Sequence, residues 1–197
     1  MVKIGIGKGV IKHKERAFYK INECSLRFAF CFAKNELKKP SERLHGSQIN
    51  NSNHYSLHAL LDHAYLESRY LGILRDSKKF IIDSILSNTN KFDVLITTGG
   101  ASVGEEDHLI KTIQKLGKIF FWKAAIKPGR PLAIGKIENT FMICLPGNPV
   151  SVHLLYGMIV KPFLEFLCGA PLIQPRGIKA TAMFSMKKKN QRMEWLR

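Results

Sequence analysis

Lys123, Lys127 and Arg130 lie on one short segment, and Pro128-Gly129 separates the last two. A Pro-Gly pair favours a type II turn, which brings its outer Cα atoms within about 7 Å. Two cations held that close repel each other unless an anion joins them. The segment is therefore an anion fork or a basic turn facing water, and Lys123, just past an apolar run, favours the fork. A second segment, Thr97-Thr98-Gly99-Gly100-Ala101-Ser102-Val103-Gly104, places glycines directly after a β-rich run. Glycines let the backbone approach a ligand, and exposed N–H groups favour an anion. Ser102 and Glu105 also match a capping box, and Glu105, Glu106 and Asp107 complement a helix dipole. Three successive acids are more than a cap needs, and a carboxylate beside a phosphate site can hold Mg²⁺. A third segment, Leu145-Pro146-Gly147-Asn148-Pro149-Val150-Ser151, has an N-cap residue followed by proline at the first helical position. That accounts for a helix start, and it also aims a helix N-terminus at whatever lies beyond the preceding strand.

These segments need strands before them and helices after them, and the apolar pattern supplies both. Short β-rich runs are expected at 28–32, 70–74, 92–97, 118–122, 132–135 and 141–145, the last two joined by a turn at Glu138-Asn139. Helical spacing is expected over 53–66, 77–88 and 109–116, and in a long helix from Pro149 that Pro162 breaks or kinks. Strands alternating with helices imply an α/β fold, a mostly parallel sheet with helices on both faces. Ligands of such folds bind beyond the carboxyl ends of the strands. Glu36, after the first strand, and Asp76, after the second, join the candidates on that ground. His54 and His58 are spaced i,i+4 but lack a third ligand, and are expected to be surface residues. Gly5-Ile6-Gly7-Lys8-Gly9 lacks the full dinucleotide pattern and reads as part of a flexible basic arm. Three regions result: an atypical basic arm over 1–26, an α/β domain over 27–172, and the cut-off opening of a β domain over 173–197, with a strand expected at 177–186.

The chain has 197 residues, of which 31 are Lys or Arg and 15 Asp or Glu, giving a formal net charge of +16. That excess could serve nucleic acid, an anionic membrane or an acidic small molecule. It is not spread evenly. Residues 1–45 hold 11 basic and 4 acidic side chains and residues 173–197 hold 7 and 1, whereas residues 46–172 hold 13 and 10. A near-neutral middle argues against a nucleic-acid face. The longest apolar stretch, 150–167, contains His153, Lys161, Pro162 and Glu165, which argues against a membrane span. The first 20 residues have no apolar signal region. Cys24, Cys31, Cys144 and Cys168 form no C-x-x-C pair, so neither a metal knuckle nor a disulfide framework is expected. The chain reads as soluble and cytoplasmic.

Taken together, Thr98-Gly99-Gly100-x-Ser102-Val103-Gly104-x-x-Asp107, Lys127-Pro128-Gly129-Arg130-Pro131 and Leu145-Pro146-Gly147-Asn148-Pro149-Val150-Ser151 resemble the molybdopterin molybdenumtransferase family, to which MoeA and the gephyrin E domain belong. The resemblance covers about 27–172, with 173–197 as the start of the family's C-terminal β domain. It implies a reaction: Mg²⁺-dependent insertion of molybdate into adenylylated molybdopterin, with release of AMP and molybdenum cofactor. It implies a catalytic set of Asp76, Asp107, Lys123 and Lys127, and a metal set of Glu36, Asp76 and Asp107. It also implies a pterin pocket walled by Gly99, Gly100, Ser102, Gly104, Arg130, Pro146, Gly147, Asn148, Pro149 and Ser151. The family's first loop reads Thr-Gly-Asp-Glu-Leu, whereas this chain has Ala33-Lys34-Asn35-Glu36-Leu37. Two family domains that precede this one have no counterpart here, so a truncated product with impaired turnover is expected. A homodimer and a molybdopterin adenylyltransferase partner are implied as well. The alternatives are a molybdopterin adenylyltransferase, or a non-catalytic molybdopterin-binding or scaffold remnant.

Overall fold

The computed structural model describes residues 26–33, 37–62, 66–74, 77–99, 108–171, 178–181, 183–185 and 193–195. Its centre is a six-stranded sheet of β4 (Leu66–Leu74), β1 (Leu26–Ala33), β5 (Val94–Thr98), β9 (Thr140–Leu145), β8 (Ala133–Ile137) and β6 (Lys118–Trp122), in that order. The first four run parallel, and β8 is antiparallel to both its neighbours, so β6 points the same way as the parallel set. The α/β expectation holds, with one reversed strand inside the sheet.

β1 shows why the sheet is covered on both sides. Phe28, Phe30 and Phe32 alternate with Ala29 and Cys31, and all five are buried. A strand apolar on both faces belongs in the middle of a sheet under two helical layers. The three phenylalanines pack with Val94, Ile96, Ile143 and Leu145 under α1 (Ser52–Leu60) and α4 (Pro149–Leu155). Ala29, Leu95, Met142 and Cys144 face α2 (Lys78–Asn88) and α3 (His108–Leu116) instead. Each fully buried phenylalanine contributes about 1.5–3 kcal/mol. Gly117, just after α3, passes directly under β8: a Cβ there would lie 2.1 Å from the Lys136 carbonyl oxygen.

The long helix departs from simple α geometry where proline requires it. Pro162 has no N–H, and its ring would clash with the carbonyl four residues back. The chain widens into a π segment over Tyr156–Val160, in which the Lys161 N–H reaches the Tyr156 carbonyl, before α5 (Lys161–Leu167). By length and apolarity the helix Pro149–Leu167 could cross a membrane. Its Val152, Leu155, Tyr156, Val160 and Leu164, however, are buried against the sheet, as in a core helix.

Two expectations need correction. The helix expected over 53–66 ends at Leu60, and the following strand begins at Leu66 rather than Tyr70. Leu57 within that helix and Leu61 at its C-cap are the buried apolar positions, so two turns suffice to cover β1. The strand expected over 177–186 does not form in 178–181 or 183–185. Instead β10 (Met193–Glu194) pairs with β7 (Ile126–Lys127). Gly129 takes the positive φ, 116°, that the Pro128-Gly129 turn leads one to expect, and the Lys127–Pro128 peptide bond is cis. A further pair, β2 (Leu37–Lys38) and β3 (Ile49–Asn50), leads into α1. Of the arm expected over 1–26, Leu26 is the first residue of β1, and residues 1–25, with the glycine run and Cys24, lie outside the described residues. Cys31, Cys144 and Cys168 are buried.

Candidate functional site

The two edges of the sheet differ in kind. At the amino ends of the parallel strands the polar groups are paired with one another. Asp93 exchanges hydrogen bonds with Arg27, its N–H reaching the Arg27 carbonyl at 2.7 Å and its Oδ2 accepting from the Arg27 N–H at 2.9 Å. Thr140 donates to the Phe92 carbonyl at 2.7 Å and accepts from the Asn90 N–H. That edge holds the sheet together.

At the opposite edge the strand ends are aligned and loops emerge. Phe32 is in register with Thr98, and Thr98 with Leu145. Cys144 is in register with Ala133, and Ala133 with Trp122. The segments after β5, β9 and β6 therefore leave the sheet side by side, which brings the three motif loops to one edge. Gly99, at φ 76°, extends the pairing by donating its N–H to the Leu145 carbonyl at 3.1 Å.

The loop from Lys123 to Leu132 is closed by backbone bonds, Lys123 N–H to the Leu132 carbonyl at 3.0 Å and Ala124 N–H to the Arg130 carbonyl at 2.9 Å. Gly129 is buried, and a Cβ there would press on Ile126 and Leu155 at 3.2 Å, so the turn is seated on α4. Lys123, Lys127 and Arg130 stay exposed. Lys123 takes a left-handed φ of 67°, and its Nζ stands 4.1 Å from the centroid of the Trp122 ring. Lys127 is already engaged, because its Nζ lies 2.9 Å from Glu194 Oε1 on β10. The Trp195 N–H also bonds the Lys127 carbonyl, at 2.9 Å.

In the third loop Asn148 caps α4 as expected, its Oδ1 accepting from the Val150 N–H at 2.9 Å, with Pro149 at the first turn. Pro146 and Ser151 are buried, while Gly147, Asn148 and Pro149 are exposed. Gly100, Ser102, Gly104, Asp107, Glu36 and Asp76 lie outside the described residues. Ala33 and Leu74, the strand residues that precede Glu36 and Asp76, are in register with each other, beside β5.

Three residues here carry weight that their sequence context hides. Asn53, in the first turn of α1, is buried and donates its Nδ2 to the Gly147 carbonyl at 2.8 Å and to Thr98 Oγ1 at 3.3 Å. The run Asn50-Asn51-Ser52-Asn53 was the available signal, since a helix start needs one cap and Asn51 already supplies it to the His54 N–H. Glu194 gave no signal, because its contact spans 67 positions. Trp122, an aromatic at a strand end before a lysine, could have been read as a platform for that cation. Of the two histidines expected at the surface, His58 is exposed, but His54 is partly buried and packs among Phe30 and Tyr70 with centroids 6.0 and 4.2 Å away. Burial and then the neighbouring His58 hold its pKa below the usual histidine value. Among the described residues no three potential metal ligands come together.

Comparison with known proteins settles the family. Residues 40–165 match a family model described as "Probable molybdopterin binding domain". The chain belongs to the molybdopterin-binding domain family. The matched span contains the three loops of the candidate edge. A molybdopterin molybdenumtransferase of Haemophilus influenzae is 35% identical over 163 residues, covering 82% of this chain and 40% of that protein. A molybdopterin biosynthesis MoeA protein of Pyrococcus horikoshii superposes with a TM-score of 0.65 at 29% identity, covering 74% of this chain and 36% of that one. The tungsten cofactor synthesizing protein MoaB of Pyrococcus furiosus, 16% identical with a TM-score of 0.54 over 73% of this chain and 95% of that one, shares the fold. The chain thus spans about two fifths of the length of the curated relative.

Proposed function

We propose that the chain binds adenylylated molybdopterin at the carboxyl edge of the sheet and supports insertion of molybdate, with release of AMP and molybdenum cofactor. The observation that carries this reading is the convergence of three anion-suited loops on neighbouring strand ends. The ligand carries phosphate, so exposed Lys123 and Arg130 supply its counter-charge, and Lys127 does so once Glu194 withdraws. The backbone of Gly99 and Gly147, the α4 start at Asn148-Pro149 and the buried Ser151 wall the pterin; Gly100, Ser102 and Gly104 complete the glycine loop. Asp76 and Asp107 are assigned to catalysis beside Lys123 and Lys127.

Glu36, Asp76 and Asp107 are the acids we assign to Mg²⁺. Carboxylate oxygens are the donors that ion takes. The strands that precede Glu36 and Asp76, β1 and β4, are adjacent and parallel, which supports the assignment of those two acids to one edge. Bound there, the ion would neutralise phosphate charge as the anhydride is cleaved. The same reading makes the protein cytoplasmic and a homodimer, working beside a molybdopterin adenylyltransferase.

The test is incubation of the purified chain with adenylylated molybdopterin, molybdate and Mg²⁺, following AMP by chromatography. Molybdate-dependent AMP release supports the full reading. Molybdopterin binding without AMP leaves a binding domain, and no binding overturns the proposal.

A further inference from the structure

Asn53 reaches two ligand loops at once. Its helix is held in place from three sides. The Asn51 N–H bonds the Lys38 carbonyl at 2.9 Å, Asn51 Oδ1 caps α1, and the Tyr156 hydroxyl donates to the Leu60 carbonyl at the far end. Asn53 therefore projects from a fixed element onto two segments that are also joined through the sheet and by the Gly99 N–H bond to the Leu145 carbonyl. Thr98 is the last residue of β5, and Gly147 follows the last residue of β9 by two positions. Both bonds use the donor half of the amide, Nδ2. The acceptor half, Oδ1, is buried and has no hydrogen-bond partner among the described residues. A buried acceptor left unpaired is destabilising, and native structures keep such groups where something other than stability retains them. A leucine or alanine could fill this position on an apolar helix face. An asparagine that spends only its donor on two loop ends suits setting the spacing of those ends.

We propose that Asn53 is a positioning residue for the ligand site: through Nδ2 it sets the β5 loop against the β9 loop, so that the Gly99 and Gly147 backbone presents one surface to the ligand. This rests on the molybdopterin reading above. The Asn53 amide itself makes no ligand contact; it acts through Thr98 and Gly147.

The test compares the full-length parent with N53A, N53D and T98V, measuring molybdopterin binding by equilibrium dialysis below each protein's melting temperature, with circular dichroism as the check on folding. N53D keeps the shape and an acceptor but turns an oxygen toward the Gly147 carbonyl. N53A and N53D should both weaken molybdopterin binding about tenfold, the equivalent of a lost buried hydrogen bond. T98V, which removes the longer bond alone, should weaken it about two- to threefold. N53D binding like the parent while N53A fails would make Oδ1 a direct ligand contact and overturn the positioning role. Parental binding by both folded variants would make Asn53 purely structural and also overturn it. If either variant fails to fold, T98V with parental affinity overturns the proposal by itself. A parent chain that binds no molybdopterin removes the underlying reading, and the inference falls with it.

Discussion

Lys123 is the clearest case of a residue kept against its own backbone preference. A side chain at φ 67° costs about 1–2 kcal/mol relative to right-handed or extended backbone. Glycine would escape that cost and lose about 0.5–1 kcal/mol in chain entropy instead. Lys123→Gly should therefore keep or slightly raise the melting temperature, while molybdopterin affinity falls about tenfold through loss of a charge-assisted contact. Lys123→Ala should lose the same affinity and keep the strain; a glycine variant that melts earlier and binds normally would assign the strain to the fold. Cys31 makes the opposite kind of statement, about stability alone. Burial, with Cys144 adding to it, pushes its thiol from 9.0 up to about 12. Above pH 9 the unfolded chain loses a proton that the folded chain keeps. Folding stability must then fall as pH rises from 9 toward 12, by up to about 1.4 kcal/mol per pH unit. Urea midpoints measured from pH 8 to 10.5 should decline more steeply for the parent than for Cys31→Ala; equal slopes would mean that the thiol ionises in the folded state.

At the scale of elements, β10 is the piece that bears on function. It has two residues, pairs only with β7 among the described strands, and puts Glu194 on Lys127. Lys127 is exposed but the Glu194 side chain is only 16% exposed, so the pair is worth about 1 kcal/mol, and Glu194→Gln, which keeps the side chain's shape, should lower the melting temperature only slightly. It should raise affinity for molybdopterin about two- to fivefold, since Lys127 no longer has a competing carboxylate. The gain should shrink as salt is added, and unchanged affinity at low salt would remove Lys127 from the site. The same elements mark what the sequence could convey. Period-two runs such as Phe28-Ala29-Phe30-Cys31-Phe32 and capped helix starts such as Asn148-Pro149 are local signals, and they predicted the sheet, both helical layers and the three loops at its edge. The helix over 53–66 was read too long because Leu57, Leu60 and Leu61 continue a helical pattern that the chain abandons to begin β4. The β10–β7 pairing and the reach of Asn53 to Thr98 and Gly147 depend on contacts 45 to 94 positions apart. No local pattern encodes such contacts.

Over the whole molecule, the net charge of +16 first suggests a polyanion as partner. The α/β body is nearly balanced, and three of its cations, Lys123, Lys127 and Arg130, share one loop at a sheet edge, which matches a small phosphorylated ligand better than a long one. That body has two apolar clusters, one on each face of a single sheet. Trp122 packs against the α2–α3 cluster and Trp195 against the α1–α4 cluster. Because every central strand contributes to both clusters, the body should unfold as one cooperative unit. β10 shares little of that network and, as a short strand near the chain end, belongs to the low-stability part of the structure. The chain's two tryptophans separate these possibilities. In Trp195→Phe, Trp122 fluorescence should follow the far-UV circular dichroism of urea unfolding. In Trp122→Phe, Trp195 fluorescence should change at lower urea, as β10 leaves β7 and Glu194 releases Lys127 before the sheet opens. Molybdopterin should lower that first midpoint and raise the second, since it competes with Glu194 for Lys127 and binds only the folded sheet. Coincident transitions for both tryptophans, unmoved relative to each other by the ligand, would make β10 an integral part of the core and not a displaceable cover over the basic turn.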